Sequence, residues 1–257
     1  MSDNGGRLLL AGETWLSLGI HQKGFSSYST GTYDEGHTEW VAALNERGWT
    51  VDHVPNHRAT NDFPWTAEEL TPYDVVVLSD ISADTLQLHP DTLVHGQRRP
   101  NRLAEIARYV NGGGGFLMVG GYMSFSGFEG KARFHGTDIE RILPVRMLGF
   151  DDRLEAPQGV TPTPRSQPHP ALATSDTKWP HFLGYNRLVP EDGEVLVSFD
   201  EDPLLIVSEE GDGRTAAFAS DCSPHWGSPE FMAWDGYGPF WHTLLTWLAG
   251  HGSVRER

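Results

Sequence analysis

At 257 residues, 38% hydrophobic and 21% charged, the chain is long enough to bury a large core as one α/β domain or two small ones. A formal charge of −16 argues against nucleic acid, because phosphate binding needs a basic face, and the one basic run, at 95–102, reads as the approach to a helix. No apolar run nears the roughly 20 residues that cross a bilayer, so no membrane partner is expected. The first residues lack the parts of a secretory signal, which gives a cytoplasmic address. A single cysteine, Cys222, leaves no internal disulfide and no CxxC pair for zinc.

In chain order, "RLLLAGE" reads as a short buried strand ending in polar residues. "DEGHTEWVAALNERG" spaces Trp40, Val41 and Leu44 helically and stops at a glycine. "WTVDHVPN" is a second strand, and "TAEELTPYDVVVLSD" gives a short helix followed by a third, Val75 to Asp80. "PNRLAEIARYVNGGGG" is an amphipathic helix with proline near its start and glycines past its end, and "FLMVGG" is the strand after it. From 151 to 203 the text turns proline-rich, an irregular excursion covering the sheet. The runs flanking "EEGDG" make a C-terminal β-hairpin, and "GPFWHTLLTWLAG" is a closing helix. No internal repeat is present.

Alternation of strands and helices, with strands apolar on both faces, predicts a single α/β domain over 1–257. It is a three-layer sandwich on a mostly parallel, flavodoxin-like sheet. Ligands of such sheets bind at the carboxyl ends of the strands. There the sequence places Glu13, Asp80, the turn Gly120–Ser124 and Asp221, which are expected to share a crevice. Nine tryptophans, several in polar surroundings, suggest an aromatic-lined cleft.

The order of "GETW", "YDVVVLSD", "GGGFLMVGGYMSFSG", "HPAL" and "AFASDCSPHWGSPEF", spread from residue 7 to about 248, resembles the class I glutamine amidotransferase-like superfamily. The nearest branch is the uncharacterised one beside the ThuA-like (trehalose utilisation) proteins. The resemblance implies the corresponding three-layer fold. In active members a Gly-x-Cys-x-Gly elbow presents a cysteine, and a later His-Pro-Glu segment supplies the base. Laid on this chain, the elbow glycine falls near Gly120, the nucleophile position near Tyr122, the last glycine near Ser124 and the base near His225. The elbow has no cysteine, and a phenol of pKa about 10 is a poor acyl acceptor, so glutaminase activity is not expected.

The candidate catalytic residues are His225, with Glu13 or Asp80 as an acid–base partner, and Ser124 and Asp221. A non-glutaminase hydrolase can be written with a Ser124/His225/Asp221 set, but Ser124 reads first as the cap of the helix after the turn. Tyr122 and the backbone N–H groups of the turn at Gly121 are expected to face a ligand, with Trp15, Trp226 and Trp234 as apolar wall. The ligand expected is a polar small molecule, sugar-like or a carboxylate. No cofactor and no metal are expected, since no HExxH or HxH spacing occurs. Cys222 reads as a small semi-buried filler in acidic surroundings that raise its pKa. A non-catalytic structural subunit, its aromatics forming an interface, stays open, as does a homo-oligomer.

Overall fold

The computed structural model describes residues 5–172 and 178–250; the part of the 151–203 excursion at 173–177 lies outside the described residues. The strands are β1 (Arg7–Gly12), β2 (Thr14–Lys23), β3 (Ser26–Glu35), β4 (Thr50–Val54), β5 (Val75–Ser79), β6 (Gly115–Val119) and β7 (Val145–Arg146). They continue with β8 (Arg153–Val160), β9 (Thr163–Pro164), β10 (Phe182–Asn186), β11 (Val189–Pro190), β12 (Glu194–Phe199), β13 (Asp202–Glu210) and β14 (Gly213–Phe218).

Eight of these strands form one sheet in the order β4-β1-β5-β6-β14-β13-β12-β9. β4, β1, β5, β6 and β14 run parallel, and β13, β12 and β9 continue antiparallel from β14. The parallel part is built from aliphatic runs such as "VVVLS" and "GFLMV", whose residues are all buried. Continuous apolar strands of this kind need cover on both faces. Helices Thr38–Asn45 and Tyr237–Leu248 meet on one side, with Trp40 edge-on to Trp241 at 5.7 Å. Helix Arg102–Asn111 packs with Ala67–Leu70, Ala83–Gln87 and Asp138–Ile142 in a second group. It starts at Asn101, whose side chain accepts the Leu103 N–H at 3.1 Å, and ends at Gly112.

The architecture is the mostly parallel α/β sandwich expected, with the β13–β14 hairpin turning at "EEGDG". Two stretches differ from the sequence reading. Residues 14–33, to which no element was assigned, form a long hairpin, β2 with β3, outside the main sheet, and β3 also takes Asp34 and Glu35, so the helix expected from Asp34 starts only at Thr38. The 151–203 excursion is not irregular: β9 and β12 extend the sheet, and β8 pairs with β10 as a separate ribbon. Its prolines sit at strand edges and ends, such as Pro157, Pro164 and Pro190, where a missing N–H costs no central ladder bond.

Candidate functional site

Because β1, β5, β6 and β14 are parallel neighbours in the sheet, their carboxyl ends open on one side. The residues after them enclose a cavity of about 540 Å³ lined by Glu13, Trp15, Asp80, Tyr122, Met123, Phe128, Asp221, Ser223, Pro224 and His225. Glu13, Asp80, Tyr122 and His225, distant in sequence, thus share a pocket.

Two of these residues hold an unusual backbone. Glu13 (φ 53°) and Asp80 (φ 45°) are both left-handed at the exits of β1 and β5. A non-glycine residue there costs on the order of 1–3 kcal/mol, and such strain collects at functional sites. The turns are tight enough to demand glycine nearby. A Cβ on Gly121 (φ 148°) would meet the Asp80 carboxylate at 2.9 Å, and one on Gly36 would meet Glu13 Oε2 at 2.7 Å.

The elbow after β6 does not present free N–H groups, which corrects the expectation from sequence. The Met123 N–H donates to Asp80 Oδ1 at 2.6 Å, and the Tyr122 N–H also serves the Asp80 carboxylate. The Gly121 N–H donates to Asn186 Oδ1 at 3.0 Å. Where an acyl-transfer enzyme would keep an oxyanion hole, this chain has placed a carboxylate of its own. Ser124 holds neither role considered for it, since the short helix after the turn, Phe128–Gly130, starts from Gly127 with no side-chain cap. Ser124 is buried, its Oγ accepts the Asp80 N–H at 3.0 Å, and it does not line the cavity.

The acidic groups form a connected chain. Ser223 has one hydroxyl hydrogen, yet its Oγ lies 3.0 Å from Glu13 Oε2 and 2.9 Å from Asp221 Oδ1. A single hydrogen cannot satisfy both. The network closes when Glu13 carries a proton and donates to Ser223 Oγ, which donates onward to Asp221. Ser79 Oγ donates to the other Glu13 oxygen. The electrostatics agree: burial, then the Asp221 and Asp80 charges, push the Glu13 carboxyl well above the carboxylate range. Asp80 rises to about 6, by burial first and Asp221 second, against the pull of its two N–H donors. Asp221 Oδ2 lies 3.7 Å from His225 Nδ1. Burial alone would lower the imidazole pKa, but the Asp221 carboxylate outweighs it and raises the value.

The excursion supports the cavity from behind its lining. Glu155 on β8 accepts the Tyr122 hydroxyl at 2.8 Å and the Trp226 Nε1–H at 3.0 Å. Arg153 lies over the rings of Phe128 (4.0 Å) and Tyr122 (4.6 Å), held by Asp151, whose carboxyl it keeps well below the usual range. Burial and Glu155 raise the Tyr122 pKa, so the phenol stays protonated. Trp226 is buried beneath His225, with ring centroids 5.3 Å apart, and supports the imidazole without lining the cavity. Trp234 packs on Trp179 at 5.1 Å and on Phe231, outside the cavity lining. Trp15 does line it. Sequence reasoning passed over Ser79, Ser223, Phe128 and Glu155. Ser223 sits between two residues that it singled out, a signal that was available, whereas Glu155 reaches the site only through long-range folding.

Among the described residues, Glu13, Asp221 and Cys222 bring one ligand-type atom each within 4.8 Å of one another. The fit for a metal is poor. Both Glu13 oxygens are already engaged by Ser79 and Ser223. Cys222 is fully buried, more so than expected, and burial followed by the Glu13 and Asp221 charges pushes its thiol well above the usual value. A thiol kept protonated is a poor nucleophile.

A family model described as "Putative glutamine amidotransferase" (GATase1_like) matches residues 7–250. Two solved structures from Salmonella typhimurium, the cytoplasmic proteins STM3548 and STM1381, are each 41% identical with a TM-score of 0.90. They cover 94% of this chain and 98% and 99% of their own. A ThuA-like protein from Bacteroides uniformis is 14% identical with a TM-score of 0.48, covering 86% of this chain and 85% of its own. No curated protein matches.

Proposed function

Since the chain belongs to the GATase1_like family, we propose that its cleft binds a polar, hydroxyl-rich small molecule of the sugar class. We further propose that it acts on this ligand by acid–base chemistry, with no covalent glutaminase step. The observation that carries this reading is the hydrogen-bonded chain from Glu13 through Ser223 to Asp221, with His225 at its outer end. Neighbouring titratable groups whose environments push their pKa values apart are the raw material of paired acid and base catalysis. Buried and protonated, Glu13 serves as proton donor. Asp80, poised at about 6, accepts, and the half-exposed His225 exchanges protons with solvent.

The same groups favour one ligand class. Asp80 and Asp221 offer acceptors and negative charge, which repel a carboxylate and suit hydroxyl donors. Trp15, Tyr122 and Phe128 provide flat faces for a ring. The hydrolase set with Ser124 has less support, because that hydroxyl is committed to the Asp80 N–H. The cytoplasmic description of both Salmonella relatives fits a metabolite ligand inside the cell.

A thermal-shift panel of neutral sugars, sugar acids and amides tests the binding step. A neutral sugar at 100-fold over Kd should add about 2.7 kcal/mol, a rise of roughly 5–10 °C in Tm. Silence across the panel, or a response confined to carboxylates, sinks the ligand assignment. On the substrate so found, Glu13→Gln and His225→Ala should each lower turnover about 10²- to 10⁴-fold, and full activity in either removes that residue from the mechanism. Ammonia release from glutamine should stay at background.

A further inference from the structure

The β2–β3 hairpin is an arm with two unlike faces. In its register Leu16 faces Tyr33, Leu18 faces Gly31 and Ile20 faces Ser29, so these residues share one side of the ribbon. The other side is polar: Ser17 faces Thr32, and His21 stacks on Tyr28 at 4.7 Å while its Nε2 contacts Thr30 Oγ1 at 3.0 Å. The apolar side is uncovered, with Leu16 66%, Leu18 80% and Ile20 83% exposed. Gly31 and Ser29 are too small to shield the side chains opposite them. A two-stranded ribbon lacking a third strand or a covering element is marginal in water, and an apolar row of this kind marks an interaction surface.

We propose that this arm seats on a second copy of the same chain. Charge sets where two copies can meet. Each copy carries −16 and repels another, yet from Leu16 to Tyr33 the arm has no Asp or Glu and one Lys, Lys23. Contact along this stretch brings the least like charge together. Size agrees. Strands of ten residues each give a ribbon about 33 Å long and about 10 Å wide. Two arms exchanged about a two-fold axis bury on the order of 1,300 Å² in total, within the range of specific interfaces. The arm also starts beside the cavity, since Trp15 at its base lines the pocket. None of this depends on the chemistry proposed above.

The test is solution mass by light scattering from about 1 to 100 μM, for the wild-type chain and for a variant with Leu16→Ser, Leu18→Ser and Ile20→Ser together. The wild type should be an assembly and the variant a monomer with an unchanged cooperative melt, because these side chains touch no core residue. A monomeric wild type, or a variant that assembles equally well, overturns the proposal. Hydrogen exchange on the wild type alone decides the matter should the variant fold poorly. The amides of the arm should gain protection between about 1 and 100 μM beyond what the β2–β3 pairing gives, and exchange independent of concentration would overturn it.

Discussion

Asp80 is pulled two ways: two backbone N–H groups of the elbow favour its charged form, while burial and Asp221 oppose it and win, setting its pKa at about 6. The consequence for stability follows from linkage. Between about pH 4 and pH 6 the native state holds a proton that the unfolded chain has released. The contribution of Asp80 is therefore present at acid pH and lost as pH rises through about 6. Asp80→Asn keeps an oxygen for the Met123 N–H and removes the charge. It should be more stable than wild type at pH 8 by about 1–3 kcal/mol, with little difference at pH 4, read from melts at the two pH values. A variant equally destabilised at both would mean that the charge is not the cost. Glu13 adds to the same slope, since its raised pKa has the same sign.

The element that most shapes the site is the elbow, and two buried side chains from elsewhere clamp it. Asn186 at the end of β10 accepts the Gly121 N–H and returns Nδ2–H bonds to the Gly121 carbonyl (3.2 Å) and Asp152 (2.8 Å). Asp152 in turn accepts the Ser126 and Gly127 N–H groups, each at 2.9 Å. Asn186→Ala orphans both groups of Gly121 in a dry environment and should cost roughly 2–4 kcal/mol by denaturant unfolding. A loss under about 0.5 kcal/mol would show that water replaces the amide. At this scale the sequence was readable where its pattern was local. "VVVLS" and "FLMV" announce covered strands, and the parallel order places Glu13, Asp80 and Asp221 at one rim. The arm was missed although Leu16, Leu18 and Ile20 alternate with period two, because a strand in which that face meets no core of its own looks like a polar connection between β1 and the next helix. Trp234 was misjudged for the opposite reason. Its neighbours Asp235 and Gly236 are polar, but its indole packs among Trp179 and Phe231.

For the molecule as a whole, Cys222 is a built-in reporter. It is the single cysteine, fully buried behind the cavity at the exit of β14, and its thiol is shifted upward. A thiol reagent should leave the native protein unmodified, with the rate of labelling set by global opening. Titration with a chromogenic disulfide, with and without denaturant, checks this, and fast stoichiometric labelling in buffer would show a local route into the core. What could not be read at this scale was the excursion. Nothing near "DDRLE" reveals that Glu155 will touch Tyr122 and Trp226, since the contacts with Tyr122 and Trp226 span 33 and 71 residues respectively.

The cavity and its support are rooted in different parts of the chain. The proton-handling groups are rooted in the exits of the central strands, where any backbone change propagates into the sheet. Arg153 and Glu155, which hold Tyr122, Phe128 and Trp226 from behind the lining, are borne by the β8–β10 ribbon, which belongs to a separate sheet. A substitution in that ribbon therefore reaches the cavity through Tyr122 and Phe128, while the carboxylates at the strand exits keep their own anchors.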